Sequence, residues 1–164
     1  MNGGADGRVD GALAERLRDL VAASDAYRQT AARLLRLGVP ETTILVTLLH
    51  DGPQRPTALA RRVGVTPATV TAQLDRLELA GHVVRQANPR DRRSVLVALT
   101  PQGRALVGRL SAVFARDVAT GSAGYDPATG AAVDRILGGV ARQLQDRARD
   151  EHGMGHDLGL SPAK

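Results

Sequence analysis

Cysteine is absent from all 164 residues. With it go disulfides, thiolate zinc sites, iron–sulfur clusters and any cysteine nucleophile or redox switch. Tryptophan is absent as well, and Tyr27, Phe114 and Tyr125 are the only aromatic residues. The core must therefore be built from Leu, Val, Ile and Ala, which favours helices packed on helices. Lysine occurs once, at Lys164, so neither a P-loop nor Schiff-base chemistry has the internal amine it needs. No run approaches the ~20 apolar residues of a spanning helix. The opening MNGGADGRVD has neither the basic start nor the apolar core of a secretory signal, so no membrane association and a cytoplasmic location are expected. HExxH, GxSxG and a convergent carboxylate pair are missing too, and neither enzymatic activity nor a cofactor is expected.

What is present is an ordinary globular balance, 43% hydrophobic and 24% charged, with a formal net charge of +5. The charge is unevenly spread. Residues 55–93 hold eight arginines (Arg55, Arg61, Arg62, Arg76, Arg85, Arg90, Arg92, Arg93) against Asp75, Glu78 and Asp91, a net of +5. Residues 1–54 net −1 and residues 94–164 net +1, so 39 contiguous residues carry the whole excess. A local site for a polyanion follows, with a solvated charged face as the alternative.

Leu13, Leu17, Leu20, Ser24, Tyr27, Ala31 and Leu34 recur at alternating spacings of four and three, a heptad seam on one long helix that calls for a partner. Gly38, Val39 and Pro40 break it, and a second helix carries Ile44, Leu45, Leu48 and Leu49 on its buried side. A short third helix is expected with Thr57 as N-cap and Leu59, Ala60 and Val63 inward, followed at Gly64 by a turn of two residues at most. Thr66 then caps a fourth helix with Pro67 in first position. Val70, Leu74 and Leu77 form its buried stripe, with Ala68, Thr69, Ala72, Gln73 and Arg76 on the other face. After Gly81, HVVRQ and SVLVAL read as strands joined by ANPRDRR, too long for a two-residue turn and forming a hairpin with a basic tip.

Thr100 and Pro101 open a fifth helix with Leu106, Leu110, Val113 and Phe114 on one side, and a Gly- and Ser-rich loop lies near 119–125. Asp126 and Pro127 start the last helix, whose Val133, Ile136, Leu137, Val140 and Leu144 keep helical spacing across Gly138 and Gly139. That glycine pair marks either a close helix contact or a bent, marginal helix. His152 and His156 are four apart beside Asp157, but Gly153 and Gly155 argue against a helix and no third ligand is near, so no metal site is expected.

Residues 57–80 have the organisation of a helix-turn-helix: Ala60 permits close crossing, Gly64 makes the turn and Val70 packs between the helices. A hairpin tipped by Arg90, Arg92 and Arg93 directly afterwards makes it winged. Here RPTALARRVGVTPATVTAQLDRLELAGHVVR (55–85) and NPRDRRSVLVALTPQG (88–103) resemble the MarR family of bacterial transcriptional regulators, most specifically in LDRLE with Gly81, the Asp91-Arg92-Arg93 wing and LTPQG.

The resemblance implies a mainly α fold with a small β-hairpin wing. Residues 1–37 would be an N-terminal dimerisation helix, 38–100 the winged helix-turn-helix domain, 101–152 C-terminal dimerisation helices and 153–164 a disordered tail. It implies a homodimer on duplex DNA with a pseudo-palindromic operator, recognition helix 66–80 in the major groove and wing 87–94 in the minor groove, acting as a repressor relieved by a small molecule. Arg93 would enter the minor groove, oriented by an ion pair with Asp91 unless that residue only makes the turn after Pro89. Arg76 would meet backbone or base edges. Thr69, Thr71 and Gln73 remain for hydroxyl or amide contacts to bases, Ala68 or Ala72 for a thymine methyl, and Arg55, Thr57, Arg61 and Arg62 for phosphates, with Thr66 and Arg90 also in the DNA-binding set. Many family members have Arg or Lys in place of Ala72, so direct readout is expected to be lighter.

The dimer would be held by Leu13, Leu17, Leu20, Val133, Ile136, Val140 and Leu144. An effector, in family terms an aromatic or lipophilic anion, would meet Tyr27, Arg28 and His50, residues that otherwise read as core Tyr and surface Arg and His. A winged-helix protein-interaction module without operator binding is the alternative, motivated by Ala72.

Overall fold

Every helix from the second to the sixth carries proline in its first or second position, where the missing N–H costs nothing and the fixed φ favours a helical start. A computed structural model describes residues 3–159, apart from the side chains of residues 3–10, Arg92, Glu151 and His152. In order, the elements are α1 (Gly3–Leu35), α2 (Val39–Asp51), α3 (Pro56–Val63), α4 (Pro67–Leu79), β1 (Val83–Asn88), β2 (Asp91–Leu99), α5 (Pro101–Gly121), α6 (Pro127–Arg149) and α7 (Glu151–Asp157). The fold is mainly helical with one antiparallel hairpin, as expected. The chain divides into two compact units, one through Arg116 and one from Asp117, with the division falling inside α5.

The core lies in the first unit. Ile44, Leu45 and Leu48 of α2 pack with Leu59 and Ala60 of α3, Val70, Leu74 and Leu77 of α4, Val83 and Val97 of the hairpin and Val107 of α5. These are most of the stripes expected for α2, α3 and α4; Leu49 and Val63 are only partly buried against them. The sheet gains one further bridge, because Gln54 exchanges both backbone bonds with Val97 (3.0 and 2.8 Å) and ties the α2–α3 loop to β2. Thr100 accepts the N–H of Gly103 (3.0 Å) and donates to the carbonyl of Gly81 (2.6 Å), so one hydroxyl starts α5 and fastens it to the turn after α4.

Several local readings are corrected. The left-handed residue that closes α1 is Arg36, φ 55°, while Gly38 is extended and serves as N-cap of α2. The N-cap of α3 is Arg55 rather than Thr57, because Pro56 occupies the first helical position and moves the start one residue earlier. Between α3 and α4 stand three residues, Gly64 to Thr66, since Thr66 caps from outside its helix. Gly64 adopts the left-handed conformation (φ 73°, ψ 35°) that its missing Cβ permits.

The tail also departs from expectation. Residues 151–157 form α7 despite Gly153 and Gly155, because Asp150 caps it through the N–H of Gly153 (2.9 Å) and Arg147 reaches the carbonyl of Gly153 and the Asp157 carboxylate. His156 sits on this helix, whereas the side chain of His152 lies outside the described residues. Residues 160–164 of the expected disordered tail lie outside them as well.

Candidate nucleic-acid interface

Helix α4 is set from both ends. Thr66 Oγ1 accepts the N–H of Thr69 (3.2 Å), satisfying one of the donors that the start of α4 leaves unpaired. At the far end Arg85 of β1 pairs with Asp75 (2.6 Å) and Glu78, fastening the wing strand to α4. Burial disfavours the charge on Arg85, but its hydrogen bond and ion pair with Asp75, together with Glu78, outweigh this and hold its pKa above the ordinary guanidinium value.

On the outward side of α4, Thr66, Ala68, Thr69, Thr71, Ala72 and Arg76 are exposed. Gln73 is not. It is only 6% exposed and its Oε1 has no hydrogen-bond partner, so it cannot reach a base edge as expected. Position 73 lies three residues after Val70 and four before Leu77, which places it on the buried stripe. Thr71, by contrast, is exposed, and its hydroxyl donates back to the carbonyl of Pro67 (2.9 Å). The Thr66 and Thr69 hydroxyls are bonded to each other (2.8 Å). Arg76 gives its Nε to Glu41 of α2 (2.7 Å), an acid that sequence reasoning passed over. Its signal was present: Glu three residues after Gly38, the spacing of the acidic half of a capping box.

The wing turn is shorter than expected. Strand pairing continues to Asn88 and Asp91, leaving only Pro89 and Arg90 between them, and the surplus residues are taken up by a register shift after Ala87. The side chain of Asn88 is the reason. Buried at the tip, it accepts the N–H of Arg90 (3.0 Å) through Oδ1 and donates to Ser94 Oγ (2.9 Å) through Nδ2. Asp91 Oδ1 then accepts the N–H of Arg93 (3.1 Å), making a second side-chain turn. Asn before Pro was the available sequence signal. Asp91 therefore reaches Arg93 through its backbone, and its ion pair is with Arg55 (3.4 Å) at the start of α3. This corrects the expected Asp91–Arg93 ion pair: one carboxylate oxygen holds the turn through the Arg93 N–H and the other faces Arg55. Arg90 and Arg93 are left exposed, while the side chain of Arg92 lies outside the described residues.

Arg55, Thr57, Arg61 and Arg62 are exposed on or beside α3. Of the residues considered for an effector, Tyr27 packs edge-to-face on Phe114 (centroids 5.5 Å, 71°) and Arg28 is ion-paired with Asp25 one turn earlier. His50 is exposed in the last turn of α2. Among those considered for dimerisation, Leu13, Leu17 and Val140 are half-buried, and Leu20, Val133, Ile136 and Leu144 are exposed. Among the described residues no helix is long and apolar enough to cross a membrane.

A short helix, a glycine turn, a capped second helix and a braced basic hairpin define a winged helix-turn-helix protein. The MarR family profile matches residues 37–95, which span α2 to β2. Over this span the chain is similar to MarR family transcriptional regulators. It is 39% identical over 79 residues to the transcriptional repressor Rv2887 of Mycobacterium tuberculosis, covering 48% of this chain and 57% of that one. The chain spans about half the length of the curated relatives it matches. Its fold is similar to a MarR family protein of Bacillus stearothermophilus (TM-score 0.71, 21% identity, 84% of this chain and 96% of that one). It is also similar to BpsR of Bordetella bronchiseptica, whose DNA binding is regulated by 6-hydroxynicotinic acid (TM-score 0.56, 26% identity, 81% and 92%).

Proposed function

We propose that the protein is a dimeric, sequence-specific DNA-binding transcriptional regulator of the cytoplasm, and a repressor relieved by a small-molecule effector. The observation that carries this reading is a set of exposed arginines on neighbouring elements: Arg55, Arg61 and Arg62 on or beside α3, Arg76 on α4 and Arg90 and Arg93 on a wing held by Asn88 and Asp91. Helix α4 enters the major groove with Thr66, Ala68, Thr69, Thr71, Ala72 and Arg76 outward, and the wing arginines take the flanking minor groove, whose narrow stretches concentrate negative potential. With the hydroxyls of Thr66, Thr69 and Thr71 all engaged locally and Ala72 at mid-helix, much of the affinity comes from phosphates. Repression is carried over from the mycobacterial repressor, and control of DNA binding by a small molecule from the Bordetella relative. Tyr27, Arg28 and His50 are the residues proposed to meet an effector, and the exposed stripes of α1 and α6 are proposed to pair two chains.

Selection of bound duplexes from genomic fragments at near-physiological salt tests this reading. A two-fold-symmetric site with half-sites about one helical turn apart is expected. Replacing Arg93 by Ala should weaken binding to it by roughly 1–3 kcal/mol with dimerisation and helicity intact. With about eight phosphates contacted, log affinity should fall with log salt at a slope near −7. No enriched site, or a nearly flat salt dependence, would transfer the winged domain to protein partners instead.

A further inference from the structure

Glu41 is a buried acid that the interface alone does not account for. Its side chain is 9% exposed, while that of its partner Arg76 is 62% exposed. Each carboxylate oxygen is committed to a different element: Oε1 accepts Nε of Arg76 on α4 (2.7 Å), and Oε2 accepts the N–H of Gly38, the residue that begins α2 where α1 has just ended (2.8 Å). A buried carboxylate is tolerated only when it is fully paired, so the two bonds hold one another in place. For Arg76 the consequence is directional. A free arginine on a helix surface samples many rotamers, whereas one held at Nε has its planar fork fixed. Among the described residues its Nη groups carry no ion pair or hydrogen bond, so the donors suited to a guanine edge or a phosphate stay available.

We infer that Glu41 is a positioning residue of the DNA interface, which sets the guanidinium of Arg76 on the recognition helix from the start of α2. The inference rests on the reading of α4 as the recognition helix. It also gives a role to the polar contact between α2 and α4, beside an apolar core.

A double-variant cycle on the full chain tests it. Affinities are measured at near-physiological salt for the duplex recovered by selection and for a scrambled duplex of the same composition. The proteins are the parent, Glu41→Gln, Arg76→Ala and the double variant, each checked by circular dichroism melting. Each single variant should lose about tenfold in affinity for the selected duplex and much less for the scrambled one. The double variant should bind no more weakly than Arg76→Ala alone. Should Glu41→Gln fail to melt cooperatively, Glu41→Asp replaces it: the charge is kept, but one methylene less withdraws it from Arg76. If the Glu41 variant costs the same factor with Arg76 absent as with it present, or if either single variant leaves selective affinity unchanged, the inference falls and the DNA reading stands. A parent that binds no duplex overturns both.

Discussion

The winged domain and the last long helix are built from similar apolar residues and spend them differently. In the winged domain Ile44, Leu59, Leu77 and Val97 are fully enclosed, and the polar ties Arg85–Asp75, Arg55–Asp91 and Arg76–Glu41 join one element to the next. In α6 no residue is buried, and Val133, Ile136, Leu137 and Leu144 stand along one exposed face. A Cβ at Gly139 would meet nothing within 4 Å. The first region encloses a core of its own, whereas the apolar face of α6 is covered only against another surface. In the proposed dimer that surface is a second copy.

The same type of change should therefore have opposite signatures in the two regions. Leu59→Ala removes a fully enclosed side chain and should cost about 3 kcal/mol, lowering the melting temperature equally at every protein concentration. Ile136→Asp should leave unfolding of the winged domain unchanged and shift the dimer toward monomers, an effect that weakens as concentration rises. Sedimentation and melting over a wide concentration range separate the two. A concentration-dependent loss in Leu59→Ala, or an unaltered dimer in Ile136→Asp, would erase the contrast.

A smaller effect is expected where α5 leaves the winged domain. A β-carbon added at Gly103 would collide with the carbonyl oxygen of His82 and lie 2.8 Å from its carbonyl carbon, both backbone atoms that cannot swing aside. Thr100 already binds α5 to this turn through the carbonyl of Gly81, so the helix has no slack. Gly103→Ala should cost about 2 kcal/mol by forcing the two apart. Gly108→Ala in the same helix has open space and should be neutral or slightly stabilising. Thermal melts of the pair decide the point; equal stabilities would mean the turn at Gly81 yields freely.

This contact explains why LTPQG read so clearly: its Thr, Pro and Gly each meet a local demand that the sequence states in order. The same holds for Thr66-Pro67 and Asp126-Pro127, where cap and proline fixed the helix starts. What escaped reading depends on distance or on geometry within a stripe. Gln73 reads as a surface residue by its polarity, although its spacing from Val70 and Leu77 puts it inside. Asp91 finds Arg55, 36 residues earlier, and Glu41 finds Arg76, 35 residues later, and no local pattern announces either pair. The wing turn was read as long because Asn88 and Asp91 look like loop residues, whereas their side chains stand in for the missing ladder bonds.

The smallest expected effect concerns how the two regions begin their helices. In the winged domain α4 and α5 are started by hydroxyls, Thr66 and Thr100, which do not titrate in acid. In the second unit α6 is started by the carboxylate of Asp126, which accepts the backbone N–H of Thr129 (2.8 Å) and its hydroxyl (3.0 Å). The backbone bond from Thr129, with the hydroxyl bond second, holds the Asp126 carboxyl below the usual aspartate value. Its protonation is then harder in the folded chain than in the unfolded one. The contribution is complete above the unfolded value of about 3.9 and is lost as pH falls through the lower folded value. Amide exchange followed from about pH 5 to pH 2 should show Thr129 losing protection, relative to the intrinsic rate, before Thr69 does. Asp126→Asn keeps an acceptor for the Thr129 N–H and removes the titration, so its early loss of protection should disappear while α6 remains helical. Equal behaviour of Thr69 and Thr129 in the parent would mean that acid acts on the whole chain at once and that the caps do not distinguish its two regions.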